Sequence, residues 1–108
     1  MTLSLGTLSA ALFSPLVGEE CRLGSPDHTA VAVTLAQCRE YPRSTIPGSA
    51  RTAFSLIFTC PEDTVGGFTG GPCVLTHPIL AEIEPFHVER ILAVGYPAGT
   101  VALQALFN

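Results

Sequence analysis

Lysine is absent from this chain, and its basic side chains are the five arginines Arg22, Arg39, Arg43, Arg51 and Arg90. Nine acidic residues bring the formal net charge to −4, so the chain has no electrostatic grip on a phosphate backbone. Nucleic acid is therefore not an expected partner. Charge of either sign is scarce, 13% of residues against ~25% in an ordinary soluble domain. No apolar run reaches the ~18 residues a membrane span needs, so no membrane span is expected. The hydrophobic residues, 47% of the chain, must then be buried in the fold or against other protein. A small domain with so little charge, at a mean hydropathy of +0.44, is expected to expose apolar patches that protein partners cover. Residues 1–17 are apolar but have neither a positive n-region nor an Ala-x-Ala site, so no Sec-type signal is expected there. The address stays open, with synthesis in the cytoplasm and a surface or extracellular assembly both compatible.

What is present fits one β domain over residues 1–108, long enough to bury ~65% of the surface its unfolded form exposes. Its most strand-like stretch is residues 51–60. There Phe54, Leu56 and Phe58 recur at the strand period of two with Ser55 opposite, Ile57 makes the other face partly apolar, and Pro61 closes the exit. Such a strand belongs in the middle of a sheet.

Around it, turn chemistry divides the chain. Residues 8–13 read as a short helix with Thr7 or Ser9 as N-cap and Pro15 as its stop, placed to plug one end of a sheet. A turn at Val17-Gly18 leads to a strand over 19–23. Gly24-Ser25-Pro26-Asp27 is a turn, and residues 29–39 alternate as a second strand. Residues 40–50, with Pro42, Pro47 and Gly48, form the longest loop and the expected place of mobility or partner contact. After the central strand, residues 62–71 are too glycine-rich for regular structure and read as a long hairpin loop. Strands follow over 73–76, over 82–94 with a break near Pro85, and over 100–107, where Val101, Leu103, Ala105 and Phe107 share a face. The expected fold is mostly β: a small antiparallel β-sandwich or barrel of five to six strands with one short N-terminal helix.

Few of the residues that carry chemistry are arranged to use it. No Gly-x-Ser-x-Gly elbow is present. Cys60 or Cys73 with His77 or His87 is the one thiol–imidazole combination to consider, and buried thiols with surface histidines are the plainer reading. Cys73-x-x-x-His77 has ligand-like spacing, but Pro72 and Pro78 prevent a helix, and four residues of strand span ~13 Å, too far for one zinc. Glu82 and Glu84, ~6.6 Å apart along a strand, imitate a glycosidase carboxylate pair and read better as a solvated face. The double glycines of 62–71 have no lysine and no following helix, so they form no P-loop. His77-Pro78 reads as structural, the imidazole capping a backbone group where a strand ends. Cys21, Cys38, Cys60 and Cys73 permit three disulfide pairings, with free buried thiols the commoner state of such a domain. No catalytic, cofactor-binding or metal-binding residue is assigned, and no cofactor is expected.

Several segments, in order, resemble a family of short bacterial proteins catalogued as a domain of unknown function. They are Leu8-Ser9 with Phe13-Ser14-Pro15-Leu16-Val17-Gly18-Glu19, then Phe54-Ser55-Leu56-Ile57-Phe58, Leu75-Thr76-His77-Pro78, and the terminal Gln104-Ala105-Leu106-Phe107-Asn108. Cys60, Ala81 and Leu103-Gln104 differ from the usual glycine, glycine and Tyr-Glu of that pattern. Members of that family look like companions of phage-tail-collar-like fibre proteins, which implies a structural or assembly role. The expected function is therefore a non-enzymatic assembly subunit, a homo-oligomer or a component of a filament or fibre. A small Cys/His metal-dependent or thiol enzyme using Cys60, Cys73, His77 and His87 is one alternative. The other is an apolar-ligand-binding barrel with a cavity lined by Phe54, Phe58 and Phe107.

Overall fold

A computed structural model describes residues 2–26 and 28–108, with His28 and Thr29 described by backbone alone. Asp27, the expected Asx residue of the first turn, lies outside them. Among the described residues six antiparallel strands close into a barrel: β1 (Glu20–Ser25), β2 (His28–Glu40), β3 (Phe54–Pro61), β4 (Gly70–Thr76), β5 (Phe86–Ile91) and β6 (Thr100–Phe107). Around the ring the order is β1-β2-β3-β6-β5-β4, and β4 pairs back to β1. Closure leaves no free sheet edge. The barrel alternative of the expected fold is the one adopted.

The longest unbroken register joins β3 to β6, from Phe54 opposite Phe107 to Pro61 opposite Thr100. Both strands put the residues of one period inward: Phe54, Leu56, Phe58 and Cys60 from β3, and Val101, Leu103, Ala105 and Phe107 from β6, all buried. Pro61 ends β3 from within. β2 begins with Val31, Val33 and Leu35 on the core side, and its register shifts between Leu35 and Gln37. That bulge at Ala36 flips the side-chain phase, so Cys38, opposite Leu56, turns to the core.

The stretch 62–71 departs from expectation. β3 and β4 sit three places apart in a ring of six, so they are not a hairpin, and the chain must cross the barrel mouth to link them. It does so through a helical turn, α2 (Glu62–Val65), which ends at Gly66 with φ 55° and drops Val65 into the core. Residues 82–85 also depart: β5 starts only at Phe86, and Ile83 instead makes an isolated parallel bridge to Leu3.

The opposite mouth is closed by the N-terminal segment. Its helical turn α1 (Ala10–Phe13) follows Ser9 as N-cap and runs into a 3-10 turn at Ser14–Leu16. Leu8, Phe13 and Leu16 are buried. Phe13 lies 5.9 Å from the Phe54 ring and 6.5 Å from Phe107, while Phe54 and Phe107 stack at 4.7 Å and Phe86 meets Phe107 edge-on at 5.4 Å. Gly18, at φ 93°, then turns the chain into β1, and its N–H bonds the Leu35 carbonyl at 2.7 Å.

Candidate functional site

Arg51 governs the plugged end. Its Nη1 donates to the carbonyls of Leu5 at 2.6 Å and Leu8 at 2.9 Å, and its Nε donates to the carbonyl of Asn108 at 2.8 Å. The guanidinium also lies 5.7 Å from the Phe54 ring centre and 5.8 Å from that of Phe107. One planar fork thus ties the N-terminal segment to the end of β6, a geometry a lysine point charge cannot reproduce. Glu82 and Glu84 serve the same segment. The Leu3 N–H donates to the Glu82 carbonyl at 2.7 Å, the Glu84 N–H to the Leu3 carbonyl at 3.0 Å, and the Leu5 N–H to Glu84 Oε1 at 2.9 Å. Both glutamates are exposed and lie outside any strand, which removes the carboxylate-pair geometry.

At the other mouth a pocket of about 360 Å³ opens beneath α2. Leu23 and Val31 from the first hairpin, Val65 and Phe68 from the crossing segment, and Leu103 from β6 form its apolar walls. Ser25, at the end of β1, adds a polar atom: its Oγ is shielded from water and has no hydrogen-bond partner among the described residues. Thr64, also on the wall, is already committed, donating to the Pro61 carbonyl at 2.7 Å. Phe54, Phe58 and Phe107 do not line this pocket. They are 1%, 0% and 5% exposed and packed in the core, so the cavity expected between them is filled by their own rings and by Phe13.

The thiols and imidazoles are held apart. Cys73 points into the barrel, its Sγ 3.7 Å from the Gly71 carbonyl, and Cys60 is buried on β3. His77 caps the turn after β4: its Nδ1 accepts the Ile79 N–H at 3.2 Å and its Nε2 donates to Glu19 Oε1 at 2.8 Å, which assigns the proton to Nε2. Its side chain is 5% exposed. His87 pairs with Glu89, at 3.0 Å on open surface. All four cysteines are free. Burial pushes the Cys21, Cys38 and Cys73 thiols up, helped at Cys21 by Glu19 and Glu20 and at Cys38 by Glu40, against a lowering hydrogen bond from Ser14. A raised thiol stays protonated at neutral pH and is a weak nucleophile. Among the described residues no group of three or more His, Cys, Asp or Glu is placed to hold a metal ion, and no helix is long and apolar enough to cross a membrane.

Over residues 8–107 the sequence matches a family described as a domain of unknown function, DUF6916. The chain belongs to that family. No curated protein and no solved structure matches it. The DUF6916 unit takes in Phe13 and its aromatic partners, Arg51 and the whole pocket beneath α2, while Leu3 and Leu5, which Glu84 and Arg51 hold, precede it.

Sequence reasoning reached His77 through its position before Pro78 at a strand end. It missed Arg51, read only as the lead-in to a strand, and Ser25, read only as a turn residue. No local signal marks either, because the partners of Arg51 and the pocket that Ser25 lines draw on chain segments far off in sequence.

Proposed function

We propose that this DUF6916 chain is a structural or assembly subunit that works by contact and not by catalysis, associating with itself or with a fibre or phage-tail-like protein. The observation that carries this reading is the connection between β5 and β6. Leu92 is 84% exposed and Val94 81%, and no charged residue occurs from Ile91 to Asn108. Ile46, in the long loop after β2, adds a further exposed apolar side chain. Large aliphatic side chains held in water with no charge beside them mark contact surface. The phage-tail association rests on the resemblance of the Phe54–Phe58, Leu75–Pro78 and C-terminal motifs to proteins of that kind.

The size of the effect sets the conditions of the test. Covering Leu92 and Val94 is worth roughly 3 to 6 kcal/mol gross, which reaches only the low end of the ~4 to 15 kcal/mol that association costs. Self-association through this loop alone is therefore weak, and a partner must add area of its own. Light scattering behind a sizing column, on a concentration series rising to ~1 mM, is expected to show a mass above 11.3 kDa. Leu92→Asp/Val94→Asp returns it to monomer. A wild-type chain that remains at 11.3 kDa throughout rules out self-assembly.

A further inference from the structure

We infer that the pocket beneath α2 is a binding site for a neutral, mainly apolar small molecule that carries one hydroxyl or carbonyl group. Its volume of about 360 Å³ falls in the range of small-molecule sites, ~300 to 1,000 Å³. A core packed to ordinary density leaves few voids even as large as a water molecule, so a hollow of this size at the end of a barrel whose other mouth is tightly filled is a specific feature. Its cause is topological. The chain crosses this mouth on one helical turn and two glycines, Gly66 and Gly67, which reach over the opening without filling it.

The wall chemistry selects the ligand. Leu23, Val31, Val65, Phe68 and Leu103 present hydrocarbon, and among the described residues no arginine or histidine lines the pocket. Asp63 is the charged side chain among the described lining residues and repels anions. Among the described lining residues a carboxylate or phosphate finds no counter-charge to offset its desolvation, so fatty acids and phosphorylated compounds are disfavoured. Ser25 supplies the polar contact. A buried hydroxyl without a partner is rare in folded proteins and costs stability, and an oxygen on a ligand in the pocket that Ser25 lines would satisfy this one. The site does not depend on Leu92, Val94 or any surface invoked for assembly.

Three compounds that share one ring system separate the elements of this inference: naphthalene, 1-naphthol and 1-naphthoate, titrated into methyl-labelled protein and followed by NMR. We expect saturable shifts at the Leu23, Val31, Val65 and Leu103 methyls with 1-naphthol. Naphthalene should bind at least fivefold more weakly and 1-naphthoate at least tenfold more weakly. Ser25→Ala removes an unpartnered hydroxyl and so keeps its fold, and in it the affinity for 1-naphthol should fall to that for naphthalene. Val65→Trp should fill the pocket and abolish binding; if it fails to fold, the Ser25→Ala comparison decides alone. No saturable shift at those methyls overturns the site. Equal affinity for 1-naphthoate overturns the neutral ligand class, and an unchanged 1-naphthol affinity in Ser25→Ala overturns the role of Ser25.

Discussion

Replacing Arg51 with alanine should loosen the N-terminal plug without touching the strands. The guanidinium gives three hydrogen bonds, to the carbonyls of Leu5, Leu8 and Asn108, and lies over two aromatic rings. Hydrogen bonds from a charged donor are worth ~1.5 to 3 kcal/mol each. Arg51 is only half-buried, however, and water can re-solvate carbonyls near the surface, so the three together should count for about 2 kcal/mol. The ring contacts add about 0.5 kcal/mol each at such a site. A loss of about 3 kcal/mol corresponds, at ~4 °C per kcal/mol for a domain of this size, to a fall in Tm of about 12 °C. Lysine at this position offers a point charge that reaches one carbonyl, so Arg51→Lys should recover less than half of that loss. Thermal unfolding by circular dichroism measures both variants. A second readout locates the damage: chymotrypsin should cut after Phe13 faster in Arg51→Ala, because that ring leaves the barrel when the segment lifts. A Tm within ~3 °C of wild type, or Arg51→Lys matching wild type, would refute the clamp.

Other perturbations probe the remaining contacts. Phe13→Ala removes a ring that is 0% exposed and touches both Phe54 and Phe107, and should cost ~3 to 5 kcal/mol in urea unfolding, with new binding of an apolar dye at the opened mouth. Tyr41 bonds the hydroxyl of buried Ser55 at 3.0 Å, so Tyr41→Phe should cost ~1 to 2 kcal/mol, and Tyr41→Phe/Ser55→Ala should recover part of that in a double-mutant cycle. The Cys21, Cys38 and Cys73 thiols are raised from 9.0 in the folded chain, so above that pH the unfolded chain holds fewer protons than the folded one. Stability should therefore be fully present below about pH 8.5 and decline as pH rises past 9, a slope that Cys→Ala replacement at these three positions flattens. At neutral pH these thiols should react slowly with a disulfide reagent until denaturant exposes them.

Much of the fold follows from local pattern. β3 and β6 were legible because each keeps one apolar phase along its whole length, and period two with turn residues at both ends has few other readings. β2 was legible in extent but not in phase, since nothing in Ala36 announces the bulge that turns Cys38 inward. The segment 62–71 shows the limit most clearly. Its glycines state that the chain bends there. They do not state which strands the bend connects, because pairing is decided by contacts distant in sequence. Once β3 and β4 stand on opposite sides of the ring, the same glycines become the means of crossing a mouth. The phenylalanines illustrate a related confusion: Phe54, Phe58 and Phe107 were identifiable as core-facing, but whether facing rings enclose a cavity or fill it depends on a fourth ring, Phe13, delivered by a separate segment.

The two mouths of the barrel therefore differ in kind, and the difference follows from how the chain reaches each one. At the plugged mouth the closing segment is the one that leads into β1. It brings Leu8, Phe13 and Leu16 fully inside under the Arg51 fork. At the other mouth the closing segment is fixed at both ends, by Pro61 of β3 and Gly70 of β4, and must span the barrel between them. With a single helical turn available, it buries Val65 and lays Phe68 along the wall, and the space beneath α2 remains. A barrel of six strands thus carries its aromatic plug at one end and its accessible volume at the other, while the uncharged connection bearing Leu92 and Val94 leaves the barrel where that volume lies. Filling the pocket should stiffen α2 and leave the Arg51 end unchanged, an asymmetry that amide hydrogen exchange on the ligand-bound and free chain would resolve residue by residue.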